Sequence, residues 1–244
     1  MLPETGYFFL TRQVATLLFR IGRFFCRVMI GIFGRLTVIG QERVPATGGV
    51  LVVANHTSYA DPPLIGITLS RPVWFMGKSE LFDVPLLGQI IPHTHTFPVR
   101  RGGVDRQALQ TAHKLLTNGE ALIIFIEGGR SADGMLKPPT LGPAMIALRA
   151  GVPVVPAAIV NADQLLPRHS PFMRFARVKV VYGEPMTFPQ YAGKHADRAT
   201  LHEMSNTLMR RIADLLRENG GGDRVPPHFL EEGSPTPGSQ DGEA

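Results

Sequence analysis

Hydrophobic and polar positions follow two different patterns along this chain. From Tyr7 to Leu36 the apolar residues Phe8, Phe9, Leu10, Val14, Leu17, Leu18, Phe19, Ile21, Phe24, Phe25, Val28, Met29, Ile30 and Ile32 dominate. At about 100° per residue, Arg12, Arg20, Arg23, Arg27 and Arg35 fall within roughly 140° of arc and share one face. Such a helix, or a pair broken near Gly31 or Gly34, can lie in a bilayer interface with its apolar side in the lipid and its arginines at the phosphates. The competing reading is a long helix docked on the domain core. After Gly40 the pattern changes to short apolar runs punctuated by Gly and Pro, alternating with stretches of helical period. That alternation predicts a βαβ domain. Strands are expected over 36–39, 50–54, 73–76, 96–99, 121–126, 154–160 and 178–182. Helices are expected over 62–69, 104–118, 141–150 and 196–219, with a broken pair around 81–90. Gly119 and Gly151 are helix stops.

The fold class is therefore α/β: a single domain with a central, mostly parallel sheet flanked by helices, preceded by an amphipathic helical segment. The boundaries expected are 1–36 for a membrane anchor, 37–219 for the catalytic domain and 220–244 for a disordered tail. The tail reading rests on a Gly, Pro, Ser and Glu composition with few large apolar residues.

Composition narrows the partners. With 44% hydrophobic and 18% charged residues, against about 25% charged in an average soluble domain, disorder throughout is excluded. The arginines interrupt the only stretch long enough for a conventional spanning helix. A lone cysteine, Cys26, makes no internal disulfide and no zinc site by itself, so the chain reads as intracellular. A cleavable secretory signal is not expected. The net charge of +5 is uneven: residues 1–36 set five arginines against Glu4, and residues 220–244 set Arg224 against five acids. No Lys/Arg-rich run or RNA-binding aromatic signature accompanies it, so nucleic acid is not the expected partner. Anionic headgroups and phosphorylated small molecules fit better.

Absent motifs remove further classes: no Gly-x-Ser-x-Gly elbow, phosphate loop, His-Glu-x-x-His or dinucleotide fingerprint occurs. His93 and His95 could ligate a metal but lack nearby Cys, Asp or Glu to complete a set, so no metal is expected. The strongest local signal is the run from Asn55 to Pro62, directly after the strand at 50–54. On one helix His56 and Asp61 would point roughly 140° apart. If the loop turns first and the helix starts at Pro62, Asp61 becomes its N-cap and its carboxylate can fold back to the imidazole. A carboxylate on one ring nitrogen fixes the tautomer and raises the basicity of the other, as a general base for an alcohol requires. The plainer alternative has Asp61 only capping and His56 only filling a loop. Further clusters follow later strands: Arg100 and Arg101 with Gly102 and Gly103, then Glu127, Gly128, Gly129, Arg130 and Ser131, then the proline-bracketed run from Val152 to Pro156. Glycine amides and guanidinium groups together suit an anion such as phosphate.

This set resembles the glycerolipid acyltransferase family, the lysophosphatidic acid acyltransferases among them. His56 to Asp61 matches its His-x4-Asp block, Phe125 to Ser131 its Phe-Pro-Glu-Gly-Thr-Arg-Ser block, and Val152 to Pro156 its Val-Pro-x-x-Pro block. Lys78, Ser79, Glu80 and Leu81, followed by Pro85, Gly88 and the turn at Arg100 and Arg101, look like its second block. Coverage runs from about Gly40 to Gly183. Ile126 and Gly129 stand where the family usually has Pro and Thr, and His95 stands near a usual Gly. The resemblance implies transfer of a fatty acyl group from a thioester to the free hydroxyl of a lysophospholipid, 1-acylglycerol 3-phosphate first, giving phosphatidic acid. His56 would be the base and Asp61 its orienting partner. Arg101, Glu127, Gly128, Gly129 and Arg130 would bind the acceptor. No cofactor is implied; acyl-CoA or acyl carrier protein is co-substrate. The expected location is the cytoplasmic side of the cell membrane, peripheral or monotopic. Alternatives are another lysolipid or an amino-lipid acceptor, or a membrane-associated protein that binds lipid or hydrolyses thioesters.

Overall fold

The computed structural model describes residues 12–85, 87–100, 102–191 and 197–229. In chain order the elements are α1 (Arg12–Gly34), β1 (Thr37–Ile39), β2 (Val50–Ala54), α2 (Asp61–Thr68), β3 (Val73–Lys78), α3 (Leu87–Ile90), β4 (Thr96–Val99), α4 (Arg106–Thr117), β5 (Ala121–Phe125), α5 (Gly142–Ala150), β6 (Val154–Val160), α6 (Ala162–Leu165), β7 (Lys179–Tyr182) and α7 (Arg198–Glu218). The strands form one seven-stranded sheet in the order β1-β7-β6-β2-β5-β3-β4. Every neighbouring pair is parallel except β6 with β7. A parallel strand is covered on both faces and so reads as a continuous apolar run. All five residues of β2 and all seven of β6 are buried. Pro156 lies inside β6 at the irregular point between the Val154–Met186 bridge and the β6–β7 ladder that starts at Ala157.

Successive strand side chains alternate between faces, and two cores result. Leu51, Val53, Leu122 and Ile124 pack with α4, α5 and α7 on one face. Val50, Val52, Ala54 and Ile123 pack with α2 and with Ile30 of α1 on the other. The connection leaving β2 therefore goes to one face and that leaving β5 to the opposite face, although β2 and β5 are neighbours paired from Val50↔Ala121 to Ala54↔Phe125. A crevice opens at the carboxyl edge where adjacent connections diverge in this way.

Two expectations change here. Of the α1 arginines, Arg23 donates to the Leu69 carbonyl at 2.6 Å and Arg27 to the Ile67 carbonyl at 2.9 Å. Carbonyls at the end of α2 have no partners within that helix and carry partial negative charge, so they tie these two arginines to α2, Arg23 half-buried and Arg27 still exposed. The outward side of α1 is apolar: Ile21, Phe24, Phe25, Val28 and Ile32 are exposed. Arg35 is also exposed, and the side chains of Arg12 and Arg20 lie outside the described residues. At the other end, the segment expected to be disordered from Gly220 is ordered as far as Phe229. It forms short turns at Gly222–Arg224 and Pro227–Phe229, because Val225 and Phe229 find room in the core and Arg224 pairs with Asp163 at 3.0 Å. The remainder, 230–244, lies outside the described residues. Among the described residues no helix is long and apolar enough to cross a membrane.

Candidate active site

The loop leaving β2 carries the first group. His56 Nδ1 lies 2.7 Å from Asp61 Oδ2. The same oxygen accepts the backbone N–H of Thr57 at 2.7 Å and of Ser58 at 2.8 Å. A carboxylate oxygen only accepts, so Nδ1 donates and a neutral imidazole presents its lone pair at Nε2. Asp61 is fully buried, whereas the His56 side chain keeps 13% of its surface. Asp61 is not the expected N-cap. Ala60 takes that place and Asp61 is the first residue of α2. The reason is local: Pro62 and Pro63 have no N–H to cap, which releases the carboxylate to gather the loop instead.

The imidazole is seated by β5. Phe125, paired with Ala54 in the sheet, stacks on the His56 ring at 4.0 Å with a 15° interplanar angle. The backbone of His56 is held from both sides by the chain that follows: its N–H donates to Glu127 Oε1 at 2.7 Å, and its carbonyl accepts from Ser131 N–H at 2.8 Å. Glu127 Oε2 accepts from Lys137 N–H at 3.3 Å. Glu127 is 7% exposed. Burial pushes its carboxyl up to about 7, against the lowering effect of the His56 N–H and Lys137. The structure thus turns this carboxylate to the backbone of the His56 loop. Its recess is shared with Asn55, Thr57, Asp163 and Arg224.

Beyond Glu127, Gly128 has φ +67°, and a Cβ there would meet Thr140 Cγ2 at 2.9 Å. Its N–H is turned inward to the Phe125 carbonyl at 3.1 Å. Gly129 is half-buried and leads into Arg130. The Arg130 guanidinium lies over Tyr59, with its central carbon 3.4 Å from the ring centroid. Its Nη1 is buried without a hydrogen-bond partner in the protein, while the residue as a whole is half-buried. Lys137 Nζ reaches the Arg130 carbonyl at 3.3 Å. Arg101 lies outside the described residues. Its neighbour Arg100 follows β4 at the same sheet edge, with its N–H on Asp105 at 2.9 Å.

Several residues of this arrangement escaped sequence reasoning. Asn55 is buried and bridges Ile159 in both directions, donating to its carbonyl at 3.0 Å and accepting its N–H at 2.8 Å. Its position directly after a buried strand was the available signal. Tyr59 and Phe125 act through their ring faces, which no spacing reveals. His95, weighed above as a metal ligand, packs its ring against Trp74. Among the described residues no group of three His, Cys, Asp or Glu could hold a metal ion.

Comparison with known proteins places this geometry. The profile of the family described as Acyltransferase matches residues 35–160, from just before β1 to the end of β6. A 1-acyl-sn-glycerol-3-phosphate acyltransferase of Bacillus subtilis is 27% identical over 190 residues, covering 78% of this chain and 92% of its own length. The chloroplastic 1-acyl-sn-glycerol-3-phosphate acyltransferase BAT2 of Brassica napus is 28% identical over 170 residues, covering 68% of this chain and 49% of its own length. The crystal structure of the 1-acyl-sn-glycerophosphate (LPA) acyltransferase PlsC from Thermotoga maritima superposes with a TM-score of 0.66 at 28% identity, over 84% of each chain. With the profile spanning just over half of its length and the His56–Asp61 and Glu127–Arg130 blocks meeting at one sheet edge, this chain belongs to the acyltransferase family.

Proposed function

We propose that the protein transfers a fatty acyl group from an acyl thioester to the free hydroxyl of 1-acylglycerol 3-phosphate, yielding phosphatidic acid. The observation that carries this reading is the pairing of an oriented imidazole with a guanidinium whose Nη1 has no hydrogen-bond partner. His56 Nε2 takes the acceptor's hydroxyl proton. The oxygen attacks the thioester carbonyl, the tetrahedral intermediate collapses with loss of the C–S bond, and the imidazolium returns its proton to the departing thiolate. Asp61 holds the ring and stabilises its protonated form. A thioester is already activated, so no covalent enzyme intermediate is needed. Arg130, together with Arg101, binds the acceptor phosphate. Glu127 and Gly128 act by positioning: the carboxylate fixes the His56 backbone and the glycine admits the turn that delivers Arg130.

The names of the relatives support the acceptor, and the outward apolar side of α1 supports peripheral attachment to a phospholipid surface. The test is thiol release from an acyl thioester with and without lysophosphatidic acid, with the lipid product identified by mass. Acceptor-dependent release with phosphatidic acid formed is expected. Equal release without acceptor would replace this reading with thioester hydrolysis.

A further inference from the structure

The segment joining α6 to β7 carries a second outward-facing cluster that the chemistry above does not use. Phe172 is 77% exposed and Phe175 is 73% exposed, comparable to Phe24 of α1 at 70%. Arg168, Arg174 and Arg177 around them are exposed as well, and no acidic residue occurs between Gln164 and Gly183. The segment is pinned to the rest of the molecule. Arg174 N–H donates to the Leu165 carbonyl, Ala176 N–H to Phe33 and Val178 N–H to Gly34, each at 2.8 Å. The Phe175 ring lies 4.9 Å from that of Phe33, which places the cluster against the last turn of α1. At its other end, Ser58 Oγ donates to the Leu166 carbonyl at 2.8 Å, two residues from His56.

Aromatic side chains held in water beside a one-sign cluster of arginines have the make-up of a surface that enters an anionic lipid interface. We infer that residues 167–177 form a second membrane contact, continuous with α1, whose occupant is an anionic phospholipid surface. Phe172 and Phe175 enter the acyl boundary and Arg168, Arg174 and Arg177 meet the headgroups. Through Leu166 and Ser58 this contact seats the His56 loop toward the lipid that supplies its acceptor. The inference rests on the membrane reading of α1 and extends it to a second element.

The test places a tryptophan reporter on each element separately, Phe172→Trp and Phe25→Trp in the full chain, and reads both against the wild-type signal of Trp74. Vesicles are of phosphatidylglycerol, with and without doxyl-labelled lipid. Both reporters are expected to shift to the blue and to lose intensity with the doxyl lipid. Combined Arg168→Glu, Arg174→Glu and Arg177→Glu is expected to lower partitioning into these vesicles more than tenfold, since each basic residue near such a surface strengthens binding about fivefold. Turnover of a short-chain, water-soluble acceptor should stay unchanged. A quenched Phe25→Trp with an unquenched Phe172→Trp would overturn this inference and leave the α1 reading standing. A reporter at position 172 already shielded without vesicles would also overturn it, since the chain itself would then cover the cluster. Unquenched reporters at both positions would remove both readings. Unquenched loop emission that responds instead to an acidic carrier protein would reassign the cluster to protein docking.

Discussion

The loops after β2 and β5 meet at one crevice and are built in opposite ways. In the first, a single oxygen of Asp61 gathers the ring nitrogen of His56 and two backbone N–H groups, so the proposed base is fixed before substrate arrives. In the second, Arg130 rests on a ring face and keeps Nη1 without a partner. A general base needs one orientation, whereas an anion receptor needs an unfilled donor that is already in place. Glu127 links the two: it belongs to the β5 loop but spends its carboxylate on the β2 loop.

The largest effect expected from disturbing this division is on turnover. His56→Ala should lower kcat by about 10²–10⁴-fold with little change in the KM of the acceptor, measured by steady-state kinetics on folded protein. Asp61→Ala should lower kcat and also destabilise the fold by about 1–3 kcal/mol, because the N–H groups of Thr57 and Ser58 lose their acceptor. Denaturant unfolding checks this second loss, which His56→Ala should not share.

Arg130→Ala should act on binding instead, raising the acceptor KM about 10- to 100-fold, the range of a hydrogen bond to a charged group. Arg130→Lys should recover little, since a lysine offers neither the flat stacking surface nor the forked donor set.

Glu127 should reveal itself through pH. Its carboxyl is raised to about 7 in the fold from an ordinary value near 4.5. Between these values the folded protein holds a proton that the unfolded chain has released. Stability from this group is therefore present at low pH and lost as pH rises through 7. Across pH 5 to 8 the wild type should lose roughly 2–3 kcal/mol relative to Glu127→Gln, read as the difference between two denaturation series.

The smallest effect concerns Tyr59. Tyr59→Leu should raise the acceptor KM about 2- to 10-fold, the scale of a cation–π contact, while Tyr59→Phe stays near wild type because the ring face is kept. A kcat loss without a KM change would place Tyr59 with the base rather than with the anion receptor.

Much of this architecture was legible because buried strands announce themselves: β2 and β6 fall on the expected residues 50–54 and 154–160, and the edge strand β4 falls on 96–99 as well. The approach of Asp61 to His56 was legible too, through the loop-then-helix argument. That it does not cap α2 was not legible, since this depended on noticing that Pro62 and Pro63 have no N–H and that the Leu64 N–H goes to the Ala60 carbonyl. Arg23 and Arg27 were placed on the correct common face of α1, yet which way that face turns is set by carbonyls some 40 residues away. The bonds from Glu127 to His56 and from Asn55 to Ile159 span 71 and 104 residues, beyond the reach of any local pattern. The burial of Val225 and Phe229 likewise depends on room left by distant elements.

The division of labour is tested most directly by acceptor discrimination, measured as kcat/KM for 1-acylglycerol 3-phosphate relative to monoacylglycerol. The wild type should prefer the phosphate-bearing acceptor strongly. Arg130→Ala should erase about 10- to 100-fold of that preference, whereas His56→Ala should depress both acceptors alike and leave the ratio intact. A ratio unchanged in Arg130→Ala, or altered in His56→Ala, would contradict the account.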